Sequence, residues 1–159
     1  QKPWAEMAPH FERYRELYSA SHNKEAPAPV CVDFLACDQS AERAEILASE
    51  HMANYYLTVM EHYEMAGDHF GDMKGYGDYA SNAEALRESG LEEAAKGFVE
   101  INTYGTPTQI LEKLDARRQD LGNFDLTVQV SYGGLTQENA ETSIRLFAEQ
   151  VLPELQSWS

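Results

Sequence analysis

The segment LTVQVS, Leu126 to Ser131, alternates without a break: Leu126, Val128 and Val130 are apolar, and Thr127, Gln129 and Ser131 are polar. A period of two makes this a strand with one apolar and one polar face. An earlier run, VCVDFLAC, reads as a second buried strand from Val30 to about Ala36 and sets Asp33 on the face opposite Val32 and Phe34. Helical patterns separate such runs, so the strands belong to parallel βα units whose helices cover one side of the sheet. A parallel sheet sandwiched by helices is apolar on both faces, so a polar set points instead to a barrel interior that opens on a ligand. Two or three strands cannot close a barrel that typically needs roughly 250 residues. The expected fold is therefore α/β, the C-terminal portion of a (βα)8 TIM barrel, with residues 1–159 forming one partial domain.

The helical patterns fill in the rest. Pro3 fits N1 of a helix with Trp4, Met7, Ala8, Phe11, Tyr14 and Tyr18 on its apolar face. A polar linker, SASHNKEAPAP, precedes the first strand. Ser40 is the expected N-cap of a long helix from about Ala41 to Met65, whose buried face runs from Ala44 through Met52 and Tyr55 to Tyr63. AGDHFGDMKGYGDYAS then brings four glycines among acids and aromatics, too irregular for a packed element and too aromatic for a linker. It reads as a lid-like insertion at about 66–82. Residues from Ala83 to about Lys96 are weakly helical, and Phe98 to Thr103 looks like a short strand. Further helices are expected at Ile110 to Leu121 and from about Gln137 to Leu155.

Composition removes whole classes of function. With 27 acidic against 12 basic residues, net −15, and no basic cluster, the chain repels phosphate backbones and anionic lipid, so no nucleic acid is expected as a partner. No apolar run approaches the roughly 18 to 20 residues of a membrane span, and QKPWAEM has no signal-peptide character, which makes a cytoplasmic location the default. Cys31 and Cys37, six apart on one strand, would lie about 20 Å from each other and stay reduced. A chain that starts at Gln and runs almost at once into a helix suggests truncation or processing.

Several segments, in this order, carry a family resemblance: VDFLACDQSAERAEILA, NYYLTVMEHYEMAG, HFGDMKGYGDY, INTYGTPTQILEKL, VQVSYGGL and SIRLFAEQVLPEL. Together they resemble the C-terminal part of the bacterial luciferase-like, flavin-dependent monooxygenases. The resemblance implies a TIM-barrel enzyme that takes reduced FMN from a separate flavin reductase and uses O2 to oxygenate a small organic substrate. A homo-oligomer is expected. It also implies that the catalytic residues and most of the FMN phosphate contacts lie in an N-terminal half absent from these residues, so that the segment is not competent alone. The glycine-rich loop corresponds to the family's active-site lid, which excludes water from a reactive flavin–oxygen adduct. His69, Lys74, Gly75 and Tyr76 are placed there as lid and substrate residues, and Tyr55 where relatives put an aromatic near the isoalloxazine ring.

Plainer readings compete at each position. Tyr55 at helical spacing also suits the core, and Lys74 and Tyr76 also suit a solvated loop. His69 with Asp68 and Asp72 matches neither a helical His pair nor an EF-hand, so no metal is assigned. His51 and His62 lie among acids on the long helix with no nucleophile at a recognisable spacing, which suits surface or packing roles. Ser131 and Tyr132 end a strand at the barrel face where ligands bind, a positional argument for cofactor contact. Asp33 suits a buried, satisfied carboxylate as well as a base.

Gly105-Thr106-Pro107 raises one more question, whether it is a phosphate turn or a helix cap. Thr106 as N-cap, Pro107 at N1 and Gln109 at N3 form a T-x-x-Q capping box. That occupies the N–H groups a phosphate would need. Two other functions stay open: a deazaflavin-dependent oxidoreductase of the same superfamily, and a non-catalytic half-barrel that serves as a partner subunit.

Overall fold

The computed structural model describes residues 3–65, 83, 86 and 90–158. The first helix, α1 (Trp4–His22), starts after Pro3 and ends at Asn23, which takes the left-handed conformation that closes a helix. Its side chains are at most half-buried, because it lies on the outside of a later helix.

The first strand, β1 (Val30–Cys37), leads into α2 (Ala41–Leu47), capped by the Ser40 hydroxyl, which accepts from Arg43 N at 3.2 Å. The helix does not stop at Leu47. It passes through a π-helical turn (Ala48–Met52) and continues as α3 (Ala53–His62). The long helix expected from the sequence therefore exists, with one wide turn in its middle.

The chain departs from expectation at Phe98. The run expected as a strand belongs to α4 (Leu91–Ile101), and the strand proper, β2 (Thr103–Gly105), is three residues long. Phe98, Val99 and Ile101 have strand propensity, but Ala95, Phe98 and Val99 also fall on one helical face, and that face is buried. Burial of the stripe overrode the local preference.

After β2 comes α5 (Pro107–Leu121), with both arms of the capping box in place: Thr106 N donates to Gln109 Oε1 at 2.9 Å, and Gln109 N to Thr106 Oγ1 at 3.4 Å. β3 (Asp125–Gln129) precedes α6 (Gln137–Leu146), a second π turn (Phe147–Val151) and α7 (Leu152–Ser157). Pro153 has no N–H to return to the preceding turn, and the wider winding just before it absorbs that loss.

All three strands are parallel, in the order β2-β1-β3. A sequential arc would run β1-β2-β3. Here β1 is central instead: β2 pairs with its last residues, Leu35 to Cys37, and β3 pairs along Val30 to Phe34.

The two faces of this sheet differ. Cys31, Asp33, Leu35 and Cys37 of β1 are buried, and Leu35 and Cys37 share a core with Ile110, Leu114 and Val151, joined by Leu126 and Val128 of β3. On the opposite face Val30 is 61% exposed and Val32 47%, beside exposed Asp125, Thr127 and Gln129. The polar set of LTVQVS thus lies on an uncovered face.

The expectation of helices on one side only needs amending. At the carboxyl end of that second face, Ala36 packs in a core with Leu47, Ala48 and Met52 of the long helix and Phe98 of α4. No described helix is long and apolar enough to cross a membrane.

Candidate functional site

Two assemblies of polar and aromatic side chains lie back to back across β1. On the closed face Asp33 and Arg117 form an ion pair, Arg117 Nη2 to Asp33 Oδ2, at 2.8 Å, with both side chains essentially inaccessible. Thr103 Oγ1 donates to the same carboxylate oxygen. The guanidinium also lies over the Trp4 ring, 4.0 Å from its centroid, which ties α1 to α5 through a cation–π contact. Asp33 Oδ1 and Arg117 Nε and Nη1 have no partner among the described residues.

Asp33 Oδ2 is committed to Arg117 and Thr103 and the side chain is fully buried, which favours the buried, paired reading over that of a base, with Oδ1 left without a described partner.

The neighbours of that pair are tuned by the same enclosure. Burial pushes the Cys31 and Cys37 thiols up to about 11. Lys113 goes the other way, brought down to about 8 by burial first and by the Arg117 charge second. Its amine donates to Glu100 O at 2.5 Å and to Asn102 O, closing the carbonyl end of α4. Trp4 Nε1 takes the remaining terminal carbonyl, Ile101 O, at 2.9 Å.

On the other face the chemistry is aromatic. Phe34 of β1 is the hub: its ring centroid lies 4.6 Å from Tyr55, 4.9 Å from Tyr132 and 5.4 Å from Phe98. The Tyr132 contact is edge-on, at 89°, a favoured aromatic geometry. Asn102, fully buried, fixes the hub from below: Phe34 N donates to Asn102 Oδ1 at 2.8 Å, and Asn102 Nδ2 donates to Phe98 O at 2.7 Å. This amide continues, with a side chain, the ladder that β2 begins at Leu35.

The three expected cofactor residues have distinct places around this hub. Tyr55 leaves 37% of its surface open above it. Ser131 is exposed on the loop after β3. Tyr132 is buried, and its hydroxyl donates to Leu35 O at 2.7 Å; burial pushes its phenol well above the usual tyrosine range. Tyr55 and Tyr132 are brought together through Phe34, and Ser131 immediately precedes Tyr132 in sequence. His69, Lys74, Gly75 and Tyr76 lie outside the described residues.

The loop after β3 is keyed into the π turn. Gly133 has φ +55°, and a Cβ there would sit 1.8 Å from His51 O and 3.1 Å from Tyr55 N. Only glycine fits this approach. On the ring side, His51 Nδ1 is 3.1 Å from Gly133 O. A carbonyl only accepts, so Nδ1 is the protonated nitrogen. The surface or packing role expected for His51 does not include this clasp, and nothing in the local sequence marks Phe34, Phe98 and Asn102 as parts of one assembly. The SYGG glycines were the available signal for a close backbone approach, although their partner lies 82 residues away.

The aromatic assembly stands toward the carboxyl ends of β1 and β3, where α/β folds bind ligands, whereas Asp33 sits mid-strand and bonds Thr103, the first residue of β2. Among the described residues no group of three His, Cys, Asp or Glu could hold a metal ion.

No family model matches this sequence, and no curated protein does. Solved structures do. The chain is similar to the monooxygenase RslO1 from Streptomyces bottropensis, at 20% identity and a TM-score of 0.59, over 97% of this chain and 39% of that one. It is also similar to a type II Baeyer–Villiger monooxygenase, the oxygenating constituent of 3,6-diketocamphane monooxygenase from the CAM plasmid of Pseudomonas putida, whose structure is a complex with FMN. There the identity is 18% and the TM-score 0.62, over 97% of this chain and 41% of that one. The chain thus spans about two fifths of the length of the structures it matches. At these identities the likeness is one of fold.

Proposed function

We propose that these residues are the C-terminal part of an FMN-dependent monooxygenase of the luciferase-like type, a partial (βα)8 barrel that oxygenates a small organic substrate with O2. The observation that carries this reading is the aromatic shelf of Phe34, Tyr55 and Phe98 at the carboxyl end of parallel strands. A planar cofactor could lie on it without displacing the core, since Tyr55 is partly open and the sheet face beyond it, at Val30 and Val32, is uncovered. The likeness to an FMN-bound monooxygenase supports the choice of cofactor.

In this reading Tyr55 stacks against the flavin, Ser131 offers a hydroxyl to it, and Tyr132 sets their spacing from beneath. Reduced FMN, delivered by a reductase, supplies the electrons for oxygen activation. The protein's part is to bind, orient and keep water out. His69, Lys74, Gly75 and Tyr76 join as lid residues on sequence grounds alone.

The test is titration of FMN, against a deazaflavin cofactor, into the full protein that carries these residues. FMN is expected to bind in preference, and Tyr55→Ala to weaken it by about tenfold, the scale of one aromatic stacking contact. Preference for the deazaflavin, or equal FMN binding by the Ala variant, would overturn the assignment.

A further inference from the structure

His51 belongs to the same long helix that brings Tyr55 to the shelf. It lies in the π turn, a local winding that often marks functional positions. Tyr55 is four residues further along, on the same side of the helix. The ring is half-buried, so it is neither a free surface group nor a core one. Its Nδ1–H is spent on Gly133 O. In the neutral imidazole that leaves Nε2 with a lone pair and no proton, and no described residue is bonded to it.

We infer that His51 is a ligand-contacting residue of this site, held by Gly133 in the tautomer whose Nε2 accepts a hydrogen bond from an N–H or O–H group of the bound molecule. The clasp has a reason to exist on these terms. A histidine needed only to fill space would not require its tautomer fixed, whereas an acceptor must point its lone pair the same way in every molecule. Gly133 makes this possible by bringing a carbonyl within reach, at a position where any side chain would collide with the π turn. The inference rests on the proposed flavin site for the identity of the ligand, but not for the tautomer.

Two substitutions separate the ends of the ring. Asn places an amide donor near Nδ1 and removes the distal acceptor; Gln reaches the distal position and gives up the clasp. His51→Asn is expected to unfold at the wild-type urea midpoint yet bind FMN about three- to tenfold more weakly, the loss of one hydrogen bond. His51→Gln is expected to be less stable and to retain more of the affinity. Wild-type FMN affinity in the Asn variant would overturn the inference, because a merely structural histidine predicts that result. Nitrogen-15 NMR of the ring supplies an arm that needs no flavin: the Nδ1–H tautomer is expected, and an Nε2–H tautomer would overturn the inference. If FMN does not bind the full protein at all, the flavin reading falls and takes the ligand contact with it, whereas an Nε2–H tautomer alongside intact FMN binding would overturn only the His51 inference.

Discussion

β1 contributes side chains to two unlike environments, one sealed and one partly open, and the contrast between them separates what holds the fold from what is free to meet a ligand. Toward α5 its odd-numbered residues are sealed, and the polar Asp33 among them is bound to Arg117 and Thr103. Toward the long helix its even-numbered residues run from exposed Val30 and Val32 to Phe34, whose ring supports a partly open aromatic shelf. Burying an ion pair costs desolvation, which a closed face can offset only by keeping both partners. An aromatic shelf has no such penalty and can stay open until something flat covers it.

The largest expected effect lies on the closed face. Arg117→Met leaves the Asp33 carboxylate buried without its partner and should cost about 3–5 kcal/mol in urea unfolding. Adding Asp33→Leu should recover most of that loss, because the apolar pair needs no desolvation. If the single substitution instead lowers FMN affinity while stability holds, the division between the two faces is broken.

Next comes the open face. Gly133→Ala sets a methyl group against the His51 carbonyl at a positive φ and should cost at least about 1–3 kcal/mol, the scale of the backbone strain before the loop shifts to relieve the clash. This should be accompanied by a change in Tyr55 fluorescence that Arg117→Met does not produce at matched stability. Equal responses from the two variants would mean that the faces are not independent.

The smallest effect is on pH dependence, and it belongs to the closed face. Folded Lys113 releases its proton near 8, whereas an unfolded lysine holds it to the ordinary 10.5. The unfolded chain therefore binds more protons above pH 8, and stability should rise. The thiols act oppositely, since folded Cys31 and Cys37 keep their protons to about 11 against an ordinary 9, and raised Tyr132 adds to them at still higher pH. The urea midpoint should climb slightly from pH 8 to 9 and fall beyond it. Cys37→Ala should flatten the fall and leave the climb; a fall that begins below pH 8 would contradict the Lys113 assignment.

The legible parts of this chain were those whose causes are local. Ser40 and Thr106 announce helix starts by side chains that cap within three residues, and both caps are present. The strands at Val30 and near Leu126 followed from alternation and composition, and appear within a residue or two of the expected ends. Phe98 to Ile101 is ambiguous in the sequence because strand propensity and a helical stripe coincide there, and only packing decides. The site was less legible still. Asp33 meets a partner 84 residues away, and His51 one 82 residues away, so neither fate has a signature in its own neighbourhood. Strand order is of the same kind, since no residue of β2 says which edge of β1 it will take.

Both cysteines of the chain sit on the sealed side of one strand, six residues apart and unbonded. Enclosure withholds these thiols from reagents, and it also keeps them in the protonated form, which is a poor nucleophile. β1 therefore carries its own reporters of exposure. The rate at which a thiol reagent modifies Cys31 and Cys37 in native buffer would measure how often β1 comes away from α5, with no label introduced into the core.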